Sequence, residues 1–265
     1  MVGRTAAARS VRLLAALTDL IGGRRPGPRV LIYHEIGGQS GRELNVAPGS
    51  FRSQLDWMAA HGRVVGLEEA IGRVADSSLS DHFVLTFDDG YAGVWTHAFP
   101  LLRERGWPFT IYLTTHPIES QKSLFDAGDR PLTWDQIATM METGLVTVGA
   151  HTHTHPDLRN SSDDRTIEEL SLSDDLIEQR LGRLPQHFAY PWGYWSPQAH
   201  RLVRARYTSA ALGSGPADVT GLAEGTFHRI PVMASDGPLL FRRRMFGGFR
   251  LEDQMRRLVK GYDGL

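Results

Sequence analysis

Cysteine is absent from the 265 residues, which excludes disulfides and thiolate metal sites and says little about compartment. Lysine is nearly absent too: of 29 basic residues only Lys122 and Lys260 are lysine, a bias read as genome composition. No run of about 18 apolar residues occurs, so no membrane-spanning helix is expected. A formal net charge of −1 supplies no global field that would draw nucleic acid. Internal repeats and low-complexity tracts are missing as well. What remains is an ordinary composition, 41% hydrophobic and 22% charged, enough to bury a full core in one large α/β domain or two small ones.

The first residues carry Arg4, Arg9 and Arg12, and the apolar run Val11–Ile21 is broken by Arg12, Thr18 and Asp19. With no clean hydrophobic region or small-residue cleavage site, a secretory signal is not expected. Leu13, Leu14, Leu17, Leu20 and Ile21 recur at helical spacing, which suits an amphipathic helix docked on the core; arginines on its other face leave peripheral membrane contact open. The chain therefore divides into an N-terminal segment, 1–27, and a single unit, 28–265. Near the other end, Arg242, Arg243 and Arg244, then Arg256, Arg257 and Lys260, read as a solvated helix face in preference to a phosphate or lipid contact.

After Pro28 the chain alternates strand and helix without a break. Buried strands are expected over Arg29–Ile36, up to Asp88, over Phe109–Leu113 and Leu145–Gly149, at Phe188, over Thr208–Leu212 and over Phe227–Val232. Helices are expected over Ser50–His61, Leu67–Ala75, Trp95–Arg105, Thr133–Glu142, Asp163–Leu181 and Pro197–Arg206. About seven such units imply a parallel sheet closed into a barrel, with chemistry at the carboxyl ends of the strands. His34, Asp88, Asp89, His151, His155 and Trp192 all fall at or just beyond such ends.

Two adjacent carboxylates at the mouth of a buried strand, in Thr86-Phe-Asp-Asp-Gly90, raise each other's pKa unless something positive is near. A divalent metal removes that conflict by binding one Asp and leaving the other as a base. A solvated turn is the simpler reading of the triplet alone. The second cluster, His151-Thr-His-Thr-His155, overturns it. Histidines four apart share one face of a helical turn, and a histidine pair with one carboxylate leaves positions open for water and substrate. His153 is expected to point away.

Thr-Phe-Asp-Asp-Gly followed by His-Thr-x-Thr-His-Pro resembles the polysaccharide deacetylase family, carbohydrate esterase family 4. The likeness runs from Tyr33-His34 through Phe99-Pro-Leu-Leu, Leu132-Thr-Trp-Asp135 and Phe188-Ala-Tyr-Pro-Trp-Gly193 to Arg229-Ile-Pro-Val232. It implies a distorted (β/α)7 barrel that removes acetyl groups from an acetylated glycan. The pattern makes Asp88 the base, and Asp89, His151 and His155 the ligands of a divalent metal. Zinc is favoured for two imidazoles and a carboxylate, while Co2+ or Ni2+ suits the same set. Tyr190, Pro191 and Trp192 match the motif that contributes an oxyanion donor, with the Trp192 amide as candidate; their rings serve equally well as core.

Two departures from the family pattern matter. Ala189 stands where many members have the arginine that holds the base aspartate, so the tether of Asp88 is unidentified. The late Leu-x-x-His motif that supplies the acid is not clean. A subgroup of poly-N-acetylglucosamine deacetylases carries that histidine in a Tyr-His pair on the first strand. Tyr33-His34 is similar to it, making His34 the expected acid and His228 the competitor. The alternatives are a non-catalytic carbohydrate-binding barrel and a hydrolase of a non-sugar amide. The glycan, the oligomeric state and the compartment stay open: the weak export signal favours the cytoplasm or a membrane face, and the resemblance favours the outside.

Overall fold

The computed structural model describes residues 27–73, 81–125, 130–214, 221 and 224–246. The expected N-terminal helix, the second arginine cluster and the end of the helix expected to reach Ala75 lie outside them. Among the described residues ten strands and eight α-helices are defined, in the order β1 (Arg29–Tyr33), β2 (Glu35–Ile36), β3 (Asn45–Val46), α1 (Pro48–His61), β4 (Arg63–Val64), α2 (Leu67–Gly72), β5 (His82–Phe87), a π-helical turn Val94–Ala98 running into α3 (Phe99–Arg105), β6 (Phe109–Leu113), α4 (Thr115–Ser120), α5 (Trp134–Glu142), β7 (Val146–Ala150), α6 (Asp163–Leu181), β8 (His187–Ala189), a 3-10 turn Pro191–Gly193, α7 (Pro197–Arg204), β9 (Ser209–Ser214), β10 (Thr226–Pro231) and α8 (Pro238–Met245). All strand pairs of the main sheet are parallel, in the order β1-β10-β9-β8-β7-β6-β5-β4, and β1 also pairs with β5. That last pairing closes a barrel of seven strands, with β4 alongside the start of β5.

Because side chains alternate along a strand, closure divides the core in two. Leu31, Tyr33, Phe83, Leu85, Phe87, Phe109, Ile111, Phe188 and Leu212 pack outward under the helices. Val30, Val84, Tyr112, Ala189, Ala211 and Phe227 fill the barrel, and Val65, Leu67 and Ala70 on and beside α2 join them from below. Helix ends follow local chemistry. Thr133 and Gln136 form a reciprocal capping box at α5, while Gly106 and Gly182 end α3 and α6 in left-handed conformation.

Gly149 is a position that tolerates no side chain. A Cβ there would lie 2.5 Å from the Tyr112 ring and 2.8 Å from the His187 carbonyl. Tyr112 is fully buried, and its ring lies beneath the Arg229 guanidinium at 5.2 Å. Gly149→Ala should therefore displace that ring and destabilise the fold by about 1–3 kcal/mol, the usual cost of overpacking. Chemical denaturation checks this, and an unchanged midpoint would mean that the ring moves freely.

Candidate active site

Continuing the alternation upward brings the inward rows to the carboxyl end of the barrel. Val84, Thr86 and Asp88 form one row, Val30, Ile32 and His34 another, and Phe227, Arg229 and Pro231 a third. Strict alternation would send Asp89 outward. It adopts a left-handed backbone (φ 70°), and its carboxyl turns into the same cavity as that of Asp88. The histidines arrive by a comparable device. His151 and His155 do not share a helical turn; they sit on an irregular loop after β7, with Thr152 at φ 67° and His155 at φ 62°. The helical rationale for their spacing is therefore wrong, although the two rings do converge, with centroids 4.9 Å apart. A β-branched residue at positive φ is strained. Of the five non-glycine residues with positive φ among the described ones, four, Asp89, Thr152, His155 and Trp192, sit at or beside this cavity, where strain held by the surroundings is characteristic of functional sites.

Asp89 Oδ1 is 3.5 Å from His151 Nε2 and 3.3 Å from His155 Nε2, and it is buried without a hydrogen-bond partner. These three residues can offer ligand atoms all within 4.8 Å of one another. His151 Nδ1 lies 2.7 Å from the Ala189 carbonyl, which fixes the proton on Nδ1 and leaves Nε2 with its lone pair. Burial lowers both imidazoles to about 4, with Asp88 opposing for His151 and His34 adding to the shift for His155. Burial likewise raises Asp89, against the pull of His34 and His151. Two neutral imidazoles and an orphaned carboxylate oxygen facing one point fit a divalent cation.

The lowered histidines carry a pH consequence. Between about pH 4 and the ordinary histidine value of 6.5, the unfolded chain binds more protons at these positions than the folded one. Their contribution to stability is present above that window and lost as pH falls through it. In a chelator-treated sample, both rings should stay neutral at pH 5.5 by nitrogen-15 NMR; midpoints near 6.5 would contradict the burial argument.

Asp88 has a different environment. Arg229, fully buried, grips it with two hydrogen bonds of 2.6 and 2.7 Å and adds one to Thr86 Oγ1 and one to the Leu212 carbonyl. Burial alone would push Asp88 up; the Arg229 charge, then His151, the Arg229 hydrogen bonds and His34 outweigh it and hold the carboxyl at about 2. The tether missing at position 189 thus comes from β10. Ala189 and Ala211 are the small barrel-filling neighbours that leave room for the guanidinium. The available sequence signal was an arginine between Phe227 and Pro231 at the inward register of its strand.

His34 lines the same cavity, about 330 Å3 in volume; His228 does not, being one residue out of phase with inward Arg229. Tyr190 borders the cavity, but its ring is fully buried in the outer core, with its hydroxyl 2.8 Å from His200 Nδ1. Pro191 is buried and is not among the lining residues. Trp192 is 50% exposed at the rim, edge-on to His155 and Phe125. Arg42, which the sequence reading did not single out, stacks on Phe125 at 4.1 Å and donates to Tyr91.

The loop carrying the histidines is pinned from behind by Glu169 of α6, which is fully buried. Glu169 accepts the amides of His153 (2.9 Å) and Thr154 (2.7 Å), the Thr154 hydroxyl and Arg165. His153 points away from His151 and His155, toward Thr115 and His116. Glu169→Ala strands two part-buried amides and takes a partner from the Arg165 guanidinium, and should cost about 1–3 kcal/mol. It should also weaken metal binding about 10-fold, as loss of support behind a ligand does. Calorimetric titration with zinc reads the second effect; unchanged affinity would show that the loop holds its own shape.

Comparison with known proteins agrees with this geometry. The family model for polysaccharide deacetylases matches residues 76–209, just over half of the chain. The chain belongs to the polysaccharide deacetylase family. It is 26% identical over 162 residues to the poly-beta-1,6-N-acetyl-D-glucosamine N-deacetylase of Staphylococcus epidermidis, covering 57% of this chain and 55% of that one. The chain spans at most 62% of the length of the curated relatives it matches. Among solved structures, the Streptococcus pyogenes deacetylase PplD in complex with acetate aligns at 25% identity and a TM-score of 0.71, over 84% of this chain and 99% of that one. IcaB from Ammonifex degensii has the same fold, with 24% identity and a TM-score of 0.69 over 84% and 98%. The closed seven-strand barrel is the fold of this family.

Proposed function

We propose that this polysaccharide deacetylase family member is a metal-dependent hydrolase that removes N-acetyl groups from a glycan. The observation that carries the reading is the division of labour between adjacent carboxylates: Asp88 is fully paired with Arg229, while Asp89 turns a bare oxygen toward two imidazoles. Asp89, His151 and His155 would hold the cation, zinc by ligand type, with cobalt or nickel as substitutes. When bound, such an ion acidifies water and polarises the acetyl carbonyl.

Asp88, kept ionised by Arg229, accepts the proton that the attacking water gives up. His34, at the cavity wall, protonates the departing nitrogen, so that the C–N bond breaks to give acetate and a free amine. The Trp192 amide serves as donor to the oxyanion, and the exposed Trp192 ring, with Phe125, offers a face on which a sugar can stack. A cavity of 330 Å3 sits at the lower end of the small-molecule range, sized for about one sugar unit with its acetyl group.

The name of the staphylococcal relative makes β-1,6-linked N-acetylglucosamine oligomers the first substrate to try. Acetate release from them should vanish with chelator and return with zinc or cobalt. A metal-loaded protein that binds such oligomers and never releases acetate would instead be a carbohydrate-binding barrel.

A further inference from the structure

Glu35 follows His34 in sequence and is only 2% exposed. One of its oxygens, Oε2, accepts the Ser40 hydroxyl, whereas Oε1 is buried with no partner in the protein. His34 Nδ1 is in the same condition. A buried carboxylate oxygen and a buried ring nitrogen are both expensive to leave unpaired, and native structures satisfy such groups with protein or ordered water. These two belong to residues that line one small cavity of about 10 Å3, completed by Arg42, Leu44, Asp89 and Tyr91. That volume admits one water molecule, and the walls supply more than the two to four polar partners it needs. His34 also lines the main cavity, so its ring is a partition between the two spaces. With Nδ1 sealed on the inner side, Nε2 is the nitrogen left to address a substrate.

We propose that a single ordered water in this inner cavity bridges His34 Nδ1–H to Glu35 Oε1, making Glu35 the residue that positions the acid histidine. This rests on the reading of His34 as the acid. The bridge holds one proton on Nδ1 and fixes the plane of the ring. The proton on Nε2 is then the one delivered to the leaving nitrogen, and the ring that remains is the Nδ1–H tautomer already hydrogen-bonded on its inner side. Ser40, through Oε2, sets the direction of the carboxylate. Glu35 touches neither substrate nor cation.

The test compares two leaving groups. An N-acetylglucosamine oligomer must have its nitrogen protonated, whereas 4-nitrophenyl acetate expels a stable phenolate without help. His34→Ala should lose turnover of the oligomer and keep most of its ester turnover. Glu35→Gln should lower kcat on the oligomer about 10-fold, a fraction of the 10²–10⁴ that a general acid supplies. Its KM, its zinc affinity and its ester turnover should stay within about 2-fold of wild type, because the proposed role of Glu35 touches only the proton transfer to the leaving nitrogen. Wild-type oligomer turnover in Glu35→Gln, or equal loss on both substrates, would overturn the role of Glu35 while leaving His34 intact. If His34→Ala treats both substrates as wild type does, the assignment of the acid itself fails. Should Glu35→Gln not fold by circular dichroism, a high-resolution crystal structure of the wild type decides. A water within hydrogen-bonding reach of both atoms supports the bridge, and clear density without one overturns it.

Discussion

Replacing Arg229 with methionine should destabilise the protein by about 3–5 kcal/mol and silence it. The estimate comes from the asymmetry of buried ion pairs: removing one partner strands a charge in the interior, at a cost well above the net worth of the intact pair. Asp88 has little solvent to turn to, since it is only 2% exposed in the cavity wall. Without the guanidinium, burial is no longer outweighed and drives its carboxyl upward from about 2, so that the proposed base is neutral over more of the working range. Stability and turnover should therefore fall together. Urea denaturation and acetate release measure the two. Arg229→Met at wild-type stability would mean that the pair contributes less than the desolvation it requires.

The second large effect separates the two aspartates. Asp89→Asn removes one of the three proposed ligands and should weaken zinc binding by more than about 100-fold, beyond the 10- to 100-fold typical of losing support behind a ligand. Asp88→Asn leaves the proposed ligand set intact. Its zinc affinity should stay near wild type while turnover drops by about 10²–10⁴, the contribution of a general base. Calorimetric titration and acetate release on the same preparations read both quantities. If the two variants lose metal equally, the carboxylates share the cation and no separate base exists.

Much of the barrel was legible because its two periodicities are strong. Apolar strands such as Arg29–Tyr33 and His82–Phe87, each followed by an amphipathic helix, leave few alternatives to a parallel closed sheet. The ends of those strands likewise pointed to Asp88, Asp89, His34 and the histidine pair. Three things were out of reach, for a common reason. The Arg229–Asp88 pair joins residues 141 positions apart, and only the closure of β10 against β1 brings them together. Arg42 reaches the cavity from an irregular loop that carries no periodic signal. The convergence of His151 with His155 depends on positive φ at Thr152 and His155, which the β-branched side chain of Thr152 argues against. The helical spacing argument therefore singled out two rings that do converge, through a geometry the chain does not adopt. Tyr190 was equally ambiguous, because an aromatic at a strand end packs as readily into core as into a cleft; here the outward register of β8 carries it to core.

Anomalous diffraction at the zinc edge, on crystals of the wild-type protein equilibrated with zinc, addresses the central claim without passing through activity. One peak is expected, about 2.0–2.2 Å from Asp89 Oδ1, His151 Nε2 and His155 Nε2. A saturated crystal with no peak at that point, or with zinc held only elsewhere on the chain, would contradict it.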